Sequence, residues 1–464
     1  MKQFVRNVSY SFIANIVSLL VSVCMVMVVP KLLSVEDYGL WQLFLFYLSY
    51  IGFFHFGWED GIYLRYAGKS FEELDRKLFA GQYYLLTAFQ ILLAVAAFSF
   101  ANLFVDDPIK RIAASCTAIL IPFVNFNNLC NFIMQITNRI KDYACMLLIE
   151  RLMLLILVMG SLLLGFNQFT NLYVAKLCSV GSVTILSFWL CRSLIRPNFP
   201  PAKDVFSEAY ENMSVGIKLM FANIASMLII GIIRYGISMG WNVATFGKVS
   251  LTLGISNFLM VFINSVSIVF FPYLKRLDQD RLPSLYIKVR GILTLLLLMA
   301  LLGYYPLKFI LSWWLPKYAD SLIYMVVLFP ICLFESKVSL LINTYLKSMR
   351  KEALMLKINA TSVLVSAAVT VITVWILHNL NLAIFSIVFL YAFRCILAEC
   401  YLGNLLSIKL HKPIILDLIM VGIFMASGIL LDSWICMFVY GVVYVIYVIS
   451  HRAFAFQLLK ALKK

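Results

Sequence analysis

Residues 34–69 read SVEDYGLWQLFLFYLSYIGFFHFGWEDGIYLRYAGK. From Tyr38 to Trp58 almost every side chain is apolar or aromatic, and the charges stand only at the two ends. A helix rising 1.5 Å per residue needs about 20 such residues to cross the ~30 Å hydrocarbon core of a bilayer, so this stretch predicts one transmembrane helix. Asp37 is placed to cap that helix as it enters the membrane. Tyr38, Trp41 and Trp58 suit the aromatic belts at the two interfaces. Gly57 and Gly61 permit a break or a close helix approach at the inner end. Glu59, Asp60 and Arg65 then form a candidate gating network on the cytoplasmic side; the plainer alternative is a capped, anchored helix pair with no substrate role.

Outward from this stretch the same pattern recurs along the chain. Apolar runs at 8–33, 38–58, 79–105, 111–137, 143–165, 169–195, 212–240, 245–274, 287–314, 319–346, 353–378, 381–408, 413–431 and 434–456 give about 14 spans of sufficient length. The composition agrees: 464 residues, 63% hydrophobic and 13% charged, against roughly 45–50% and 25% in soluble domains. Lys and Arg concentrate on alternate connecting segments. The positive-inside rule therefore predicts cytoplasmic termini and cytoplasmic basic loops. The net charge of +16 is dispersed over these loops, so contact with anionic lipid is expected and nucleic acid is not.

The segment 192–211 (RSLIRPNFPPAKDVFSEAYE) carries Pro197, Pro200 and Pro201, which cannot continue a helix. It divides the first 12 spans into two sets of six. The expected organisation is a first lobe at 1–197, a linker at 198–211, a second lobe at 212–408, and a final pair of spans with a tail at 409–464. A faint internal repeat supports it. Ala14-Asn15-Ile16-x-Ser18-x-Leu20 matches Ala222-Asn223-Ile224-x-Ser226-x-Leu228, and at the same offset Tyr38-Gly39 matches Phe246-Gly247. Because six is even, the repeat is parallel, as in carriers whose halves rock about an axis along the membrane normal.

An ionisable group in the hydrocarbon core costs at least ~2.5–3.5 kcal/mol, so each one demands a partner, a cavity or a route to the interface. The interior bases are Lys176, Lys218, Arg234, Lys248, Lys308, Lys337 and Arg394, and the main acids are Glu335, Glu399 and Asp417. Lys218 and Lys248 lie near span ends, where snorkelling is the simple account. Arg394 and Glu399 are five apart, and Glu335 and Lys337 two apart, so neither acid neutralises its nearest base within its own helix. The seven bases are therefore candidates for an anion-binding cavity, with a pyrophosphate as the fitting ligand. Glu335, Glu399 and Asp417 are candidate proton or sodium carriers. No cofactor, catalytic group or metal site is expected: the chain has no phosphate-binding loop, its ten cysteines lack paired spacing, and its four histidines lack ligand spacing.

The Glu36-Asp37-Tyr38-Gly39-x-Trp41-Gln42 block and the Phe56-Gly57-Trp58-x-Asp60-Gly61-Ile62-x-Leu64-Arg65-Tyr66 stretch resemble those of polysaccharide repeat-unit flippases (O-antigen and capsule, Wzx-type), in the polysaccharide transporter branch of the multidrug/oligosaccharidyl-lipid/polysaccharide (MOP) superfamily. Length, span number and the 6+6+2 division resemble that family over essentially the whole chain. The resemblance implies an undecaprenyl-pyrophosphate-linked glycan moved across the bacterial inner membrane by alternating access, with a polysaccharide polymerase as a possible partner. It also implies a cationic central cavity and a lipid-tail groove on the last two spans. Some relatives carry an interior Arg in the first span, where this chain has only Arg6 and Lys31 at the ends. Two alternatives stand beside this: a multidrug or metabolite exporter of the same superfamily, and a membrane-embedded polymerase or ligase. The very short external loops weigh against the second.

Overall fold

The computed structural model describes residues 2–196, 200–256, 278–431 and 434–450, together with 260, 263, 270 and 274. Every regular element among them is helical. In chain order these are α1 (Lys2–Leu32), α2 (Val35–Leu48), α3 (Trp58–Tyr66), α4 (Arg76–Phe104), α5 (Pro108–Ile136), α6 (Ile140–Leu163), α7 (Phe169–Ile195), α8 (Ala202–Gly240) and α9 (Val243–Ser256). Then follow α10 (Leu282–Leu301), α11 (Tyr304–Trp314), α12 (Ile323–Leu328), α13 (Ile331–Ser336), α14 (Asn343–Ser348), α15 (Glu352–Thr370), α16 (Leu380–Leu405), α17 (His411–Leu430) and α18 (Trp434–Ser450).

Among the described residues, 10 helical stretches are long and apolar enough to cross a membrane, and 12 if two bent pairs each count as one; α9 and α18 are shorter apolar helices. The expected count of 14 is therefore met only in part. Of the expected span at 245–274, residues 257–259, 261–262, 264–269 and 271–273 lie outside the described residues, as do Pro197 and the C-terminal tail. Large apolar side chains such as Leu103, Leu163, Trp313, Leu430 and Phe438 stand exposed on the helix faces. A lipid surround is the environment that explains so much outward apolar surface. The chain is a multi-pass membrane protein.

Two expected spans are broken. The run 38–58 is not one straight helix: Val35–Phe53 and Trp58–Tyr66 meet at 53°. Phe56 (φ 50°) and Gly57 (φ 82°) take left-handed backbone there, which ends one helix before the next begins. The run 319–346 bends by 43° between Pro316–Leu328 and Ile331–Ser348, where Pro330 lacks the N–H that would continue the ladder. A π-helical segment, Lys337–Ile342, follows.

The chain forms two compact units: Met1–Ile224 with Asn242–Gly247, and Ala225–Trp241 with Lys248–Lys464. In the first, Ser34 is the N-cap of α2, its hydroxyl accepting from the Asp37 N–H at 3.0 Å. Asp37 does not cap its own helix as expected. Its Oδ1 accepts from the Phe169 N–H at 3.0 Å and so caps α7. Tyr38, Trp41 and Trp58 are not belt residues either: all three are buried. The Trp58 indole donates to Gln82 Oε1 at 2.6 Å, and Gln82 Nε2 donates to the Val205 carbonyl at 2.8 Å. Both apolar bulk and hydrogen-bond capacity of these rings are used inside the bundle.

In the second unit α18 buries one stripe, Cys436, Tyr440 and Tyr444, at the four-residue spacing of a single helix face. The two tyrosine hydroxyls donate to the carbonyls of Leu298 and Leu295 on α10, each at 3.1 Å.

Candidate functional site

The interior charges fall into separate settings. In the second unit, Arg394 of α16 is buried and all three guanidinium nitrogens donate: Nη1 to Glu335 Oε2 at 3.0 Å, Nε to Asn359 Oδ1 at 3.1 Å and Nη2 to Ser226 Oγ at 2.9 Å. These partners come from α13, α15 and α8. Ser226 belongs to the repeated Ala-Asn-Ile-x-Ser motif, so the motif's serine serves as an acceptor for the buried Arg394.

A second cluster joins Arg290, Lys337, Glu399 and Asp417, all buried. Arg290 Nε and Nη2 hold Glu399 in a fork at 2.7 and 3.0 Å, and Nη2 reaches Asp417 Oδ2 at 2.6 Å. The Lys337 ammonium donates to the same Asp417 oxygen, with Glu399 Oε1 at 3.9 Å. Two bases and two acids sum to zero charge, which is what a low-dielectric interior tolerates. The cluster ties α10, the π-helical turn, α16 and α17 together. The interior bases named from the sequence leave out Arg290, which stands at the start of the expected span 287–314. Its signal was the apolar run that begins within a turn of it.

The expectation that these bases lack acidic partners is therefore corrected for Lys337 and Arg394. Intrahelical spacing cannot reveal a carboxylate delivered by a neighbouring helix. Lys176, in the first unit, is likewise paired: its ammonium donates to Glu150 Oε1 at 2.6 Å, and Ser179 Oγ donates to the Glu150 carbonyl at 2.7 Å. Arg234 donates to Ser250 Oγ at 3.1 Å. Lys248 is half-buried and Lys218 exposed. Lys308 lines a cavity walled by Tyr304, Tyr305, Phe309 and Trp434. Arg394, Lys337 and Lys308 thus belong to different surroundings.

The candidate gate also divides. Arg65 does not join Glu59 and Asp60. It donates to Glu208 Oε1 (2.5 Å), Asn212 Oδ1 (2.6 Å) and Glu211 Oε2 (2.6 Å), fastening α3 to α8, with Tyr66 Oη donating to Glu208 Oε1 at 2.7 Å. Glu59 and Asp60 instead face a polar cavity with His55, below the break in the second span. Close packing holds the break in place. A Cβ on Gly57 would fall 2.5 Å from the Ile217 N, and Cβ atoms on Gly61 and Gly216 would run into the backbones of Asn212 and Gly57. The glycines expected to allow close approach do so.

No protein-family model and no curated protein matches the sequence. Solved structures do match in fold. The lipid II flippase MurJ, in an inward closed conformation, superposes with a TM-score of 0.65 at 14% identity, covering 97% of this chain and 99% of that one. An inward-facing multidrug resistance MATE family transporter of the MOP superfamily gives 0.62 at 12% identity over 85% and 98%. A Pyrococcus furiosus transporter of the MOP superfamily, described as having a binding pocket of reverse polarity, gives 0.52 at 13% identity over 86% and 95%. The fold is that of the MOP-superfamily transporters and flippases.

Proposed function

We propose that this protein is a flippase that moves an undecaprenyl-pyrophosphate-linked oligosaccharide repeat unit across the bacterial cytoplasmic membrane for surface polysaccharide assembly. The observation that carries the reading is the superposition on a lipid II flippase over nearly the full length of both chains, taken with the Glu36–Gln42 and Phe56–Tyr66 motifs. In this reading residues 1–197 and 212–408 are the two rocking lobes, joined by 198–211, and 409–464 supply the additional helix pair. Both termini and the basic loops are cytoplasmic. Alternating access admits the charged head while the polyprenyl tail stays in lipid.

Arg394 is the chosen anchor for the pyrophosphate. Its forked donors suit phosphate oxygens as well as carboxylate. An incoming pyrophosphate would compete with Glu335 for the guanidinium, while Asn359 and Ser226 keep the fork oriented. Arg234 is a second contact, and Lys218 and Lys248 draw the anion in from the span ends. Lys337, Glu399 and Asp417 are assigned to scaffold, Lys176 to its pair with Glu150, and Lys308 to lipid-facing aromatic surroundings. A polysaccharide polymerase is the natural consumer of the product.

The test is deletion in a strain that makes a surface polysaccharide. Lipid-linked repeat units should accumulate on the cytoplasmic leaflet and be released by the intact gene but not by R394Q. Units found on the outer leaflet of the deletion strain would overturn the reading. The second reading, an exporter of organic cations, is favoured by one observation: the cavity of the first unit presents Glu59 and Asp60 with no Lys or Arg among its lining. Drug sensitivity in the deletion strain, with normal surface glycan, would select it.

A further inference from the structure

The three acids expected to carry a coupling ion are already committed: Glu335 to Arg394, Glu399 and Asp417 to Arg290 and Lys337. Glu59 is not. It is fully buried, and neither carboxylate oxygen receives a hydrogen bond from a described residue. Asp60, next in sequence, opens onto the same cavity. The other polar groups lining it are neutral: Ser49, Asn128, Asn131, Gln135, Tyr143 and Asn223. Cys130 of α5 is a further titratable neighbour of Glu59, and from α4 the neutral amides Gln82 and Gln90 reach the Trp58 indole and the Phe54 carbonyl.

His55 does not supply the missing charge. The Gly57 N–H donates to its Nδ1 at 3.0 Å. That nitrogen is therefore an acceptor, and the single ring proton sits on Nε2. A second proton on Nδ1 would break the bond that helps hold the left-handed turn. Nε2 stands 3.9 Å from Glu59 Oε2 and 3.8 Å from Asp60 Oδ2, too far to neutralise either by hydrogen bonding. Nε2 is thus nearly equidistant from the two carboxylates. A bare carboxylate without partners is costly to bury, and neutralisation by a proton is the ordinary remedy.

We propose that Glu59 and Asp60 form a proton-binding site: Glu59 takes a proton from hydronium in the cavity, leaving water, and Asp60 tunes its release. Loading removes one negative charge beside the break at Phe56–Gly57, where the α3 backbone abuts α8 at Gly216. The exchange therefore acts on the segment of the second span least constrained by its own helical ladder. The site does not depend on which substrate the protein carries.

The test needs no glycan, so its failure would leave the proposed substrate untouched. The full chain in nanodiscs is treated with dicyclohexylcarbodiimide, which modifies protonated carboxyls in apolar surroundings, and adducts are mapped by mass spectrometry. Glu59 should be modified at acidic pH and spared at alkaline pH. D60N should move the midpoint without abolishing the adduct. In infrared pH-difference spectra one carboxylic-acid band should vanish in E59Q. Absence of the Glu59 adduct at every pH would overturn the proposal. So would suppression by sodium at constant pH, which would make this a sodium site, or an unchanged midpoint in D60N.

Discussion

Gly39 at the start of α2 and Gly247 in α9, matched positions of the internal repeat, stand backbone against backbone. A Cβ on Gly247 would lie 2.6 Å from the Gly39 Cα, and one on Gly39 would collide with the Val243 carbonyl. Phe46 and Phe246 pack edge to face beside them, ring centroids 5.7 Å apart. Two copies of one short motif thus meet each other, and the absence of side chains is what lets them. G39A and G247A should each destabilise the protein by about 1–3 kcal/mol, the range for forced overpacking. G160A, where a Cβ meets nothing within 4 Å, should be neutral or gain about 0.5–1 kcal/mol. Thermal unfolding in one detergent compares all three.

The four-charge cluster makes a prediction about pairs. K337M alone strands Asp417 with one base fewer, and removing one member of a buried pair typically costs ~3–5 kcal/mol. K337M/D417N keeps the charge balance around Arg290 and Glu399. It should recover a large part of that loss, with a coupling of about 0.5–3 kcal/mol. A double-mutant cycle on thermal stability measures it; simple additivity would show that the contact carries no energy.

Arg394 should separate folding from transport. R394Q leaves Glu335 buried without its cation and should lower stability. R394Q/E335Q should restore stability yet remain inactive in moving lipid-linked glycan, because the fork is gone. R394K keeps the charge but not the bidentate geometry and should retain partial activity. A stable and fully active double variant would remove Arg394 from the proposed anchor.

Asp37 caps a helix 132 residues away in sequence. D37A should cost about 1 kcal/mol, the usual worth of a cap, and so should S34A. Because Ser34 Oγ also donates to Asp37 Oδ2 at 2.6 Å, the two losses should not add. Unfolding midpoints of the two single variants and the double decide this.

The membrane-embedded, all-helical fold was legible because hydropathy is a local property: each run such as 79–105 or 381–408 announces itself. The glycines at 57 and 61 were legible for the same reason. What escaped was every relationship that depends on a neighbouring helix. Arg290 went unnamed among the interior bases because its acids lie 109 and 127 residues downstream. Tyr38, Trp41 and Trp58 read as interface anchors because an aromatic's preference for the interface and for a packed core look alike in one dimension. Glu59 read as part of a gate with Arg65, six residues on. The bend at Gly57 and the pull of Glu208 and Glu211 take the two side chains to different places.

The attachment of α18 carries a practical consequence for handling this protein. Two tyrosine hydroxyls, those of Tyr440 and Tyr444, tie it to backbone carbonyls of α10, and large apolar side chains such as Phe438, Ile446 and Ile449 face outward. Such bonds hold well while water is kept away and weaken once it enters. Short-chain detergents should peel this terminal segment off before the remaining helices loosen. Y440F/Y444F should hasten that peeling, so purification in long-chain detergent or native nanodiscs is the route that keeps the C-terminal end seated.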